Sequence, residues 1–456
     1  MKMWSILYYL RNDPDKLRWN MRIRGLSPQV IDEAIKLDKE VRGFQKKLDA
    51  LRYKRNQITR SIGKASGEER KTLVNEAKKL SGEISRMEKE FKELRNRLDE
   101  ILLSIPNILH PDVPVGADEN DNKPIRYWGR PKVMKKHLEF FIEMTKGFDI
   151  EYEVIDYEIK GHADYGDETH LTDVPRAAKV AGSRFYYLLG DLVFLQMALI
   201  NYALDRLTSK GYIPVYPPPL MNRKAYLGVT SLADFEDAIY KVEDEDLYLI
   251  ATSEHPMAAM YMNEVLETSE LPIKLVGFSP CFRKEAGAHG KDTKGIFRVH
   301  NFDKIEQFIF SHPDESWDYH EEIIRNAEEL FQGLEIPYRI VDICTGDIGS
   351  VAARKYDLEA WMPAQGRYRE MVSASNCTDW QSYRLNIRFA KKRGYPSEGF
   401  VHTLNSTGLA IQRTITAIIE NHQLPDGRVK IPDVLKKYLS TYEGAPNEYL
   451  RPVELP

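Results

Sequence analysis

FRKEAGAHGKDTKGIFRVHNFDKIEQF, residues 282–308, is the stretch whose reading decides the fold. Arg283 and Glu285 are two positions apart, so on a strand both side chains leave the same face. Gly287, Gly290 and Gly295 mark a loop, and Arg298, Phe302 and Glu306 stand on what reads as the returning strand. One face of such a hairpin carries a cation, two carboxylates and an aromatic ring. A cation holds a phosphate, and a carboxylate orients an amine or hydroxyl. The ring of Phe302 supplies a stacking surface for a base. Periodicity alone also fits an exposed hairpin of charge pairs, the commoner fate of these residue types.

Outward from this hairpin, further β-like runs (GYIPVYPPPL, LYLIATSEH, LVGFSPCF, YRIVDI) alternate with helical stretches at 191–208 and 314–333. The pattern implies an α+β domain with a substantial, antiparallel sheet. The Pro- and Asp-rich segment 106–128 reads as a linker. Neither G-x-G-x-x-G nor GxxxxGK[ST] occurs, so the dinucleotide fingerprint and the P-loop are both excluded.

Residues 31–105 have a different period. Ala34, Leu37, Val41, Phe44, Leu48, Leu51, Ile58 and Ile62 follow a 3-4 spacing, with Arg55 in the one polar slot. Gly63-Lys64-Ala65-Ser66-Gly67 interrupts it. The spacing resumes at Leu73, Ala77, Leu80, Ile84, Met87, Phe91, Leu94, Leu98, Ile101 and Ile105, and Pro106 and Pro111 close it. Two matched heptad stretches around a glycine-containing loop predict an antiparallel two-helix hairpin. A helix of about 32 residues reaches roughly 48 Å, so this is an arm. From Arg42 to Lys64, eight cations (Arg42, Lys46, Lys47, Arg52, Lys54, Arg55, Arg60, Lys64) face Asp49 alone, a net of +7 in a chain of net charge −4. A solvated coiled-coil face accounts for isolated charge runs. This degree of segregation favours a surface for a nucleic-acid phosphate backbone.

Hydrophobic residues at 42% and charged residues at 29% of 456 describe a globular chain of two to four domains. Cys281, Cys344 and Cys377 form no CxxC pair and no zinc-like cluster, and they fit a reducing, cytoplasmic compartment. The longest uncharged apolar run, Leu192–Leu204, is too short to span a bilayer, and no secretory leader is expected.

Five ordered strings then resemble one family. Residues 282–308 resemble motif 2 of the class II aminoacyl-tRNA synthetases, and within that class the seryl branch. LNSTGLAIQRTITAIIENHQ (404–423) is similar to motif 3, a strand running into a helix with Arg413 near the junction. Residues 199–220 are similar to motif 1. ATSEH around Thr252-Ser253-Glu254 and REMVSASN (369–376) also match the seryl branch. With the arm, the resemblance covers nearly the whole chain; the stretch 129–160 is longer than the family pattern and has no functional reading. The resemblance implies an N-terminal tRNA-binding domain, 1–110, with its arm over about 28–105, and a class II catalytic domain, 111–456, built on an antiparallel sheet flanked by helices.

The same resemblance implies an activity and a set of roles. The activity is ATP-dependent activation of L-serine to seryl-adenylate and transfer to the 3′ end of tRNA(Ser), with tRNA(Sec) left open as a second acceptor. By this resemblance Arg283, Glu370 and Arg413 are the catalytic candidates. Thr252, Ser253, Glu254, Arg283, Glu306, Asn405 and Thr407 surround serine, with Glu306 and Thr407 at its hydroxyl. Arg283, Lys284, Glu285, Arg298, Val299, Phe302, Glu370, Met371, Val372, Ser373 and Arg413 bind ATP. Arg283 takes the α-phosphate, Arg413 the γ-phosphate, Glu285 the adenine amino group and Phe302 the adenine ring. Glu370 and Ser373 hold Mg²⁺ with ATP, and no zinc is expected. Arg42, Lys46, Lys47, Arg52, Lys54, Arg55 and Arg60 contact tRNA, and the loop 286–296 reaches its acceptor end. A homodimer through motif 1 is expected, and no membrane. His255, His289 and His300 are assigned no role. Two other readings stay open: a synthetase-like ligase that loads a carrier protein, and an inactive RNA-binding paralogue.

Overall fold

The computed structural model describes residues 5–231, 238–285, 292 and 294–454. It divides into two compact units, Met3–Ile108 and Leu109–Pro456.

In the first unit, helices Ser5–Asn12 and Pro14–Ile23 precede the long pair Gln29–Ile62 and Gly67–Ser104. Ala34, Leu37, Val41, Leu48 and Ile58 are buried on one partner and Leu80, Ile84 and Leu98 on the other. Full burial of such a side chain contributes about 1.5–3 kcal/mol, so the heptad stripe is what holds the hairpin closed. Cross-links Arg52–Glu88 and Lys54–Glu76 confirm the antiparallel sense. Arg55 is half-buried in the seam and its guanidinium donates to Asn56 Oδ1. At the base of the arm Leu102 is buried while Ile101 is partly open. A straight helix drifts against a strict seven-residue repeat, so in the last turn the buried position is Leu102 in place of the predicted Ile101, while Ile105 is buried as the spacing predicts. Ile105 turns extended ahead of Pro106, as a residue before proline does.

The second unit is built on an eight-stranded sheet. Its strand order is Lys123–Trp128, Tyr338–Asp342, Arg354–Met362, Arg367–Thr378, His402–Ala410, Asn301–Ser311, Ile273–Phe282 and Ile213–Val215. Every neighbouring pair is antiparallel except the last, which is parallel. Helices Asp191–Thr208, Ser316–Gly333 and Ile411–Asn421 bury their apolar faces in one core with Ile305, Ile309, Ile340, Leu358, Val372 and Leu404 of the sheet. The α+β architecture expected from the sequence is the one observed.

Three expectations about local structure are corrected. The segment 106–128 is not all linker, because Lys123–Trp128 forms an edge strand of the sheet. Its proline and charges hid it. Pro124 is tolerated at an edge, where the register shifts before Arg126, and the charge of Arg126 is matched by a two-point bond to Glu328. LYLIATSEH is a strand only over Leu247–Leu249, and Glu254 opens the short helix Glu254–Ala259. The third correction falls in the decisive hairpin: the first strand ends at Phe282 and the second begins at Asn301. Arg283, Glu285 and Arg298 therefore lie beyond the strand ends, with Glu285 at φ +51°.

The stretch 129–160 acquires a structural account. Strands Lys132–Met134 and Glu153–Ile155 pair in parallel around helix Leu138–Met144. Val133 and Phe141 pack with Trp361 and Tyr368 of the central sheet, and the Trp361 indole N–H donates to the Lys132 carbonyl.

Candidate active site

A cavity of about 440 Å³ opens on the central sheet. Three neighbouring strands supply its floor. On Asn301–Ser311 the period of two aims Phe302, Lys304 and Glu306 into it, and on His402–Ala410 Asn405 and Thr407 point the same way. Ser373, Ser375 and Cys377 do so from Arg367–Thr378. Register brings Glu306 opposite Thr407 and Ser375 opposite Asn405.

One end of the cavity is a nest of buried polar groups. Asn405 Nδ2 and Gln381 Nε2 both donate to Glu254 Oε1 at 3.1 Å, and among the described residues Oε2 has no hydrogen bond. Burial first, and the nearby Glu306 second, push the Glu254 carboxyl up to about 7. Glu306 pairs with Lys304 Nζ at 2.6 Å and accepts from the Thr407 hydroxyl at 3.4 Å. Burial raises Glu306 as well, against the pull of Lys304. His255, bonded through Nδ1 to the Tyr226 hydroxyl, is pushed down to about 3 by burial and by the cations Lys304 and Arg283, so it is neutral.

The other end is cationic. Arg283 is fixed by its backbone: its N–H donates to the His300 carbonyl, and its own carbonyl bonds His300 Nδ1 at 2.8 Å. Its guanidinium donates to the Ala251 carbonyl and lies 5.1 Å from the Phe302 ring centroid. Arg298 donates to Glu285 at 2.8 Å. Arg413, on the first turn of helix Ile411–Asn421, donates to the Glu370 carbonyl at 2.9 Å and sits 3.6 Å from its carboxylate. Packing around Glu370 opposes ionisation, but Arg413 foremost, then Lys355, Arg283 and Arg298, hold its carboxyl below the usual range. Asp357, across from Ser373 in register, is driven the other way by burial.

The cavity thus gathers fourteen of the candidates: Thr252, Glu254, Arg283, Glu285, Arg298, Val299 and Phe302, with Glu306, Glu370, Met371, Ser373, Asn405, Thr407 and Arg413. Three do not line it. Val372 points to the opposite face and is buried in the main core. Ser253 is wholly buried, its Cβ 2.9 Å from where a side chain on Gly277 would begin. Lys284 is held by its backbone N–H on the Ala238 carbonyl. Asn405 and Thr407 belong to strand His402–Ala410 and cap no helix. In the loop 286–296, residues 286–291 and 293, including His289, lie outside the described residues. Lys304, Gln381, Cys377, Gln412 and Phe297 were missed by sequence reasoning. Lys304 alone had a visible signal, two positions from Glu306 on the same strand face.

Comparison with known proteins agrees with this geometry. A family model for the seryl-tRNA synthetase N-terminal domain matches residues 7–109, and one for the class II tRNA synthetase core domain (G, H, P, S and T) matches residues 240–422. The serine–tRNA ligase of Archaeoglobus fulgidus is 60% identical over 99% of this chain and 100% of its own. The chain belongs to the seryl-tRNA synthetase family. Two solved seryl-tRNA synthetases extend the likeness. The Pyrococcus horikoshii enzyme, complexed with ATP, superposes with a TM-score of 0.91 at 53% identity, covering 98% of this chain and 99% of that one. The cytoplasmic enzyme of Naegleria fowleri, in complex with AMP, gives 0.80 at 38% identity and 96% coverage of both. Membership in the seryl-tRNA synthetase family makes the chain an ATP-dependent class II ligase.

The arm, the other feature typical of seryl-tRNA synthetases, is less uniformly basic than its sequence implies. Arg42 is engaged by the buried carboxylate of Asp38, which Arg11 also holds. Arg52 is bonded to Glu88 at 2.7 Å and Lys54 to Glu76 at 3.2 Å. Among the described residues Lys46, Lys47, Arg55 and Arg60 have no carboxylate within ion-pair range. Lys46, Tyr53 and Arg60 recur every seven residues on one exposed stripe of helix Gln29–Ile62. No helix among the described residues is long and apolar enough to cross a membrane.

Proposed function

We propose that this chain joins L-serine to ATP as seryl-adenylate and passes the seryl group to the terminal ribose of tRNA(Ser). The observation that carries this reading is the polar nest of Glu254, Lys304, Glu306, Asn405 and Thr407 set directly beside Arg283. Such a pocket matches a small zwitterion with a hydroxyl side chain. Glu254 Oε2 takes the ammonium. Glu306 and Thr407 take the hydroxyl. Arg283 neutralises the serine carboxylate and the α-phosphate as they approach.

In the first step a serine carboxylate oxygen attacks the α-phosphorus and pyrophosphate leaves. In the second the tRNA ribose hydroxyl attacks the adenylate carbonyl and AMP leaves. Nothing in the chain forms a bond, so its work is positioning and charge stabilisation. Phe302 offers the purine a stacking face, Glu285 accepts from its amino group, and Arg413 binds the far phosphates.

Mg²⁺ fits the donor set. Glu370 and Ser373 are hard oxygen ligands of the kind the ion takes, and the neighbouring Asp357 has a buried Oδ1 with no hydrogen-bond partner among the described residues. When bound with ATP, the ion neutralises phosphate charge.

Homodimerisation is part of the same reading. Ile213 and Tyr216 within the motif 1 stretch 199–220, and Val193 and Met197 just ahead of it on helix Asp191–Thr208, leave large apolar side chains exposed. The three buried free thiols favour the cytoplasm.

Serine-dependent exchange of labelled pyrophosphate into ATP, followed by charging of purified tRNA(Ser) and tRNA(Sec), tests the proposal. Exchange without charging of either would favour the carrier-protein ligase. Absence of exchange would leave only RNA binding.

A further inference from the structure

Behind the cationic end of the cavity lies a guanidinium that does not line it. Arg369 donates from Nη1 to Asp292 Oδ1 at 3.0 Å and from Nη2 to Asp292 Oδ2 at 2.6 Å, a two-point clamp. The same Nη1 donates to Gln365 Oε1 at 2.7 Å, and Gln365 in turn reaches Glu420 on the helix that carries Arg413. The Arg369 guanidinium lies 4.1 Å from the Phe297 ring centroid, and Arg413 lies 4.9 Å from that centroid. Both members of the clamp are largely removed from solvent, with 14% and 18% of their side chains exposed.

The clamp is connected to substrate-facing groups on two sides. Asp292 stands 3.6 Å from Arg298 Nε, while Arg298 Nη1 bonds Glu285. A charge chain therefore runs Arg369–Asp292–Arg298–Glu285, alternating in sign, and its last two members line the cavity. Asp292 and Glu285 both sit at positive φ, +49° and +51°. Such backbone is uncommon outside glycine and persists where surrounding contacts over-determine it. Through Phe297 the same guanidinium also bears on Arg413.

We propose that Arg369 is a positioning residue for the nucleotide: by clamping Asp292 and backing Phe297, it sets where Arg298, Glu285 and Arg413 stand. The inference rests on the ligase reading and deepens it. Arg369 touches no substrate and acts only through these neighbours. The serine nest is connected to Gln381, Asn405 and Lys304 rather than to this chain of charges. Loss of the clamp therefore separates the two substrates: ATP suffers and serine does not. A scaffold role for Arg369 would damage both together.

The test is pyrophosphate exchange by the full-length protein, with KM for ATP and for serine measured separately in Arg369→Gln, Asp292→Asn and the double variant, and melting temperature recorded for each. Asp292→Asn keeps the side-chain volume and guards against loss of folding in Arg369→Gln. The expected result is a KM for ATP raised about tenfold or more in either single variant, with KM for serine within about twofold of the parent. The double variant is expected to be no worse than the poorer single one, since both remove the same contact. Unchanged KM for ATP in Asp292→Asn, equal rises in both KM values, or additive losses in the double variant would overturn the proposal. If the parent itself shows no serine-dependent exchange, the ligase reading fails instead, and the two failures are thereby distinguished.

Discussion

Serine binding should depend on pH through Glu254, with a sign and size set by the pocket. Its carboxyl is raised to about 7 because burial and the Glu306 charge disfavour the ionised form. Only the carboxylate can hold the serine ammonium, which keeps its own charge over this range. With an effective pKa of about 7, the ionised fraction falls about tenfold between pH 8 and pH 6, equivalent to about 1.4 kcal/mol. KM for serine in pyrophosphate exchange should therefore rise about tenfold over that interval while KM for ATP stays level. Binding at pH 6.5 should also release a proton, visible in calorimetry as a dependence on buffer ionisation enthalpy that fades by pH 8.5. The stability effect has the opposite sense. A carboxyl whose folded pKa is raised binds more protons folded than unfolded, so its contribution is lost as pH climbs from about 4.5 through about 7. Glu254→Gln should bind serine poorly and abolish the slope. A flat serine KM from pH 6 to 8, or the same slope in Glu254→Gln, would refute the assignment of the ammonium to Glu254.

Other outcomes rest on the same geometry. Arg283→Ala should cost about 3–4 kcal/mol of transition-state stabilisation, by analogy with the loss of one oxyanion donor; exchange near the parent rate would remove Arg283 from the α-phosphate. Alanine offers no hydroxyl to the polar subsite of Glu306 and Thr407, so activation should favour serine by about 10⁴, and alanine activated within about tenfold of serine would sink the hydroxyl assignment. On the arm, Lys46→Ala and Arg60→Ala should weaken tRNA binding more than Arg52→Ala, because Arg52 is already bonded to Glu88. Each lost phosphate contact should lower the salt slope by about 0.7–0.9, and equal slopes for all three variants would argue against a selective stripe. Deleting residues 38–98 should spare exchange while charging collapses; parallel loss of both would make the arm a structural support.

How much of this was legible depended on whether a residue's role is periodic. The arm was, because its seam repeats every seven residues and each position reports on its neighbours. Even there, the pairing of Arg52 with Glu88 and of Lys54 with Glu76 crosses the hairpin, so the run of cations overstated the free charge. The floor of the cavity was partly legible: Glu306 was read from its place on the returning strand, whereas Asn405 and Thr407 came from the resemblance. Glu254 was found by resemblance alone, and the geometry of both Glu254 and Arg283 was misjudged because neither lies within a strand. Gln381 carries no local pattern, since it meets Glu254 only through the fold. The edge strand Lys123–Trp128 was hidden for a related reason. It needs only one covered face, and its pairing partner, Tyr338–Asp342, is far away in the sequence.

The arrangement of charge explains why the site must be built on the sheet. Four carboxylates, Glu254, Glu306, Asp357 and Glu370, lie among Arg283, Lys304, Lys355 and Arg413, and no simple pairing satisfies them all. Glu306 has Lys304, yet among the described residues Glu254 has only neutral amide donors, and Asp357 keeps an oxygen with no partner. Buried polar groups left unmatched cost stability. The register of four adjacent strands keeps Glu306, Asp357 and Glu370 apart, with Glu306 locked opposite Thr407 and Asp357 opposite Ser373. Relaxation toward mutual pairing would require the sheet to slip, and a one-residue slip would turn every core side chain outward. The unmatched positions, Glu254 Oε2 and Asp357 Oδ1, are those where an ammonium and a metal ion would supply the missing positive charge. Preorganisation of this kind moves the reorganisation cost from the reaction to folding, and the large core behind the sheet is what sustains it.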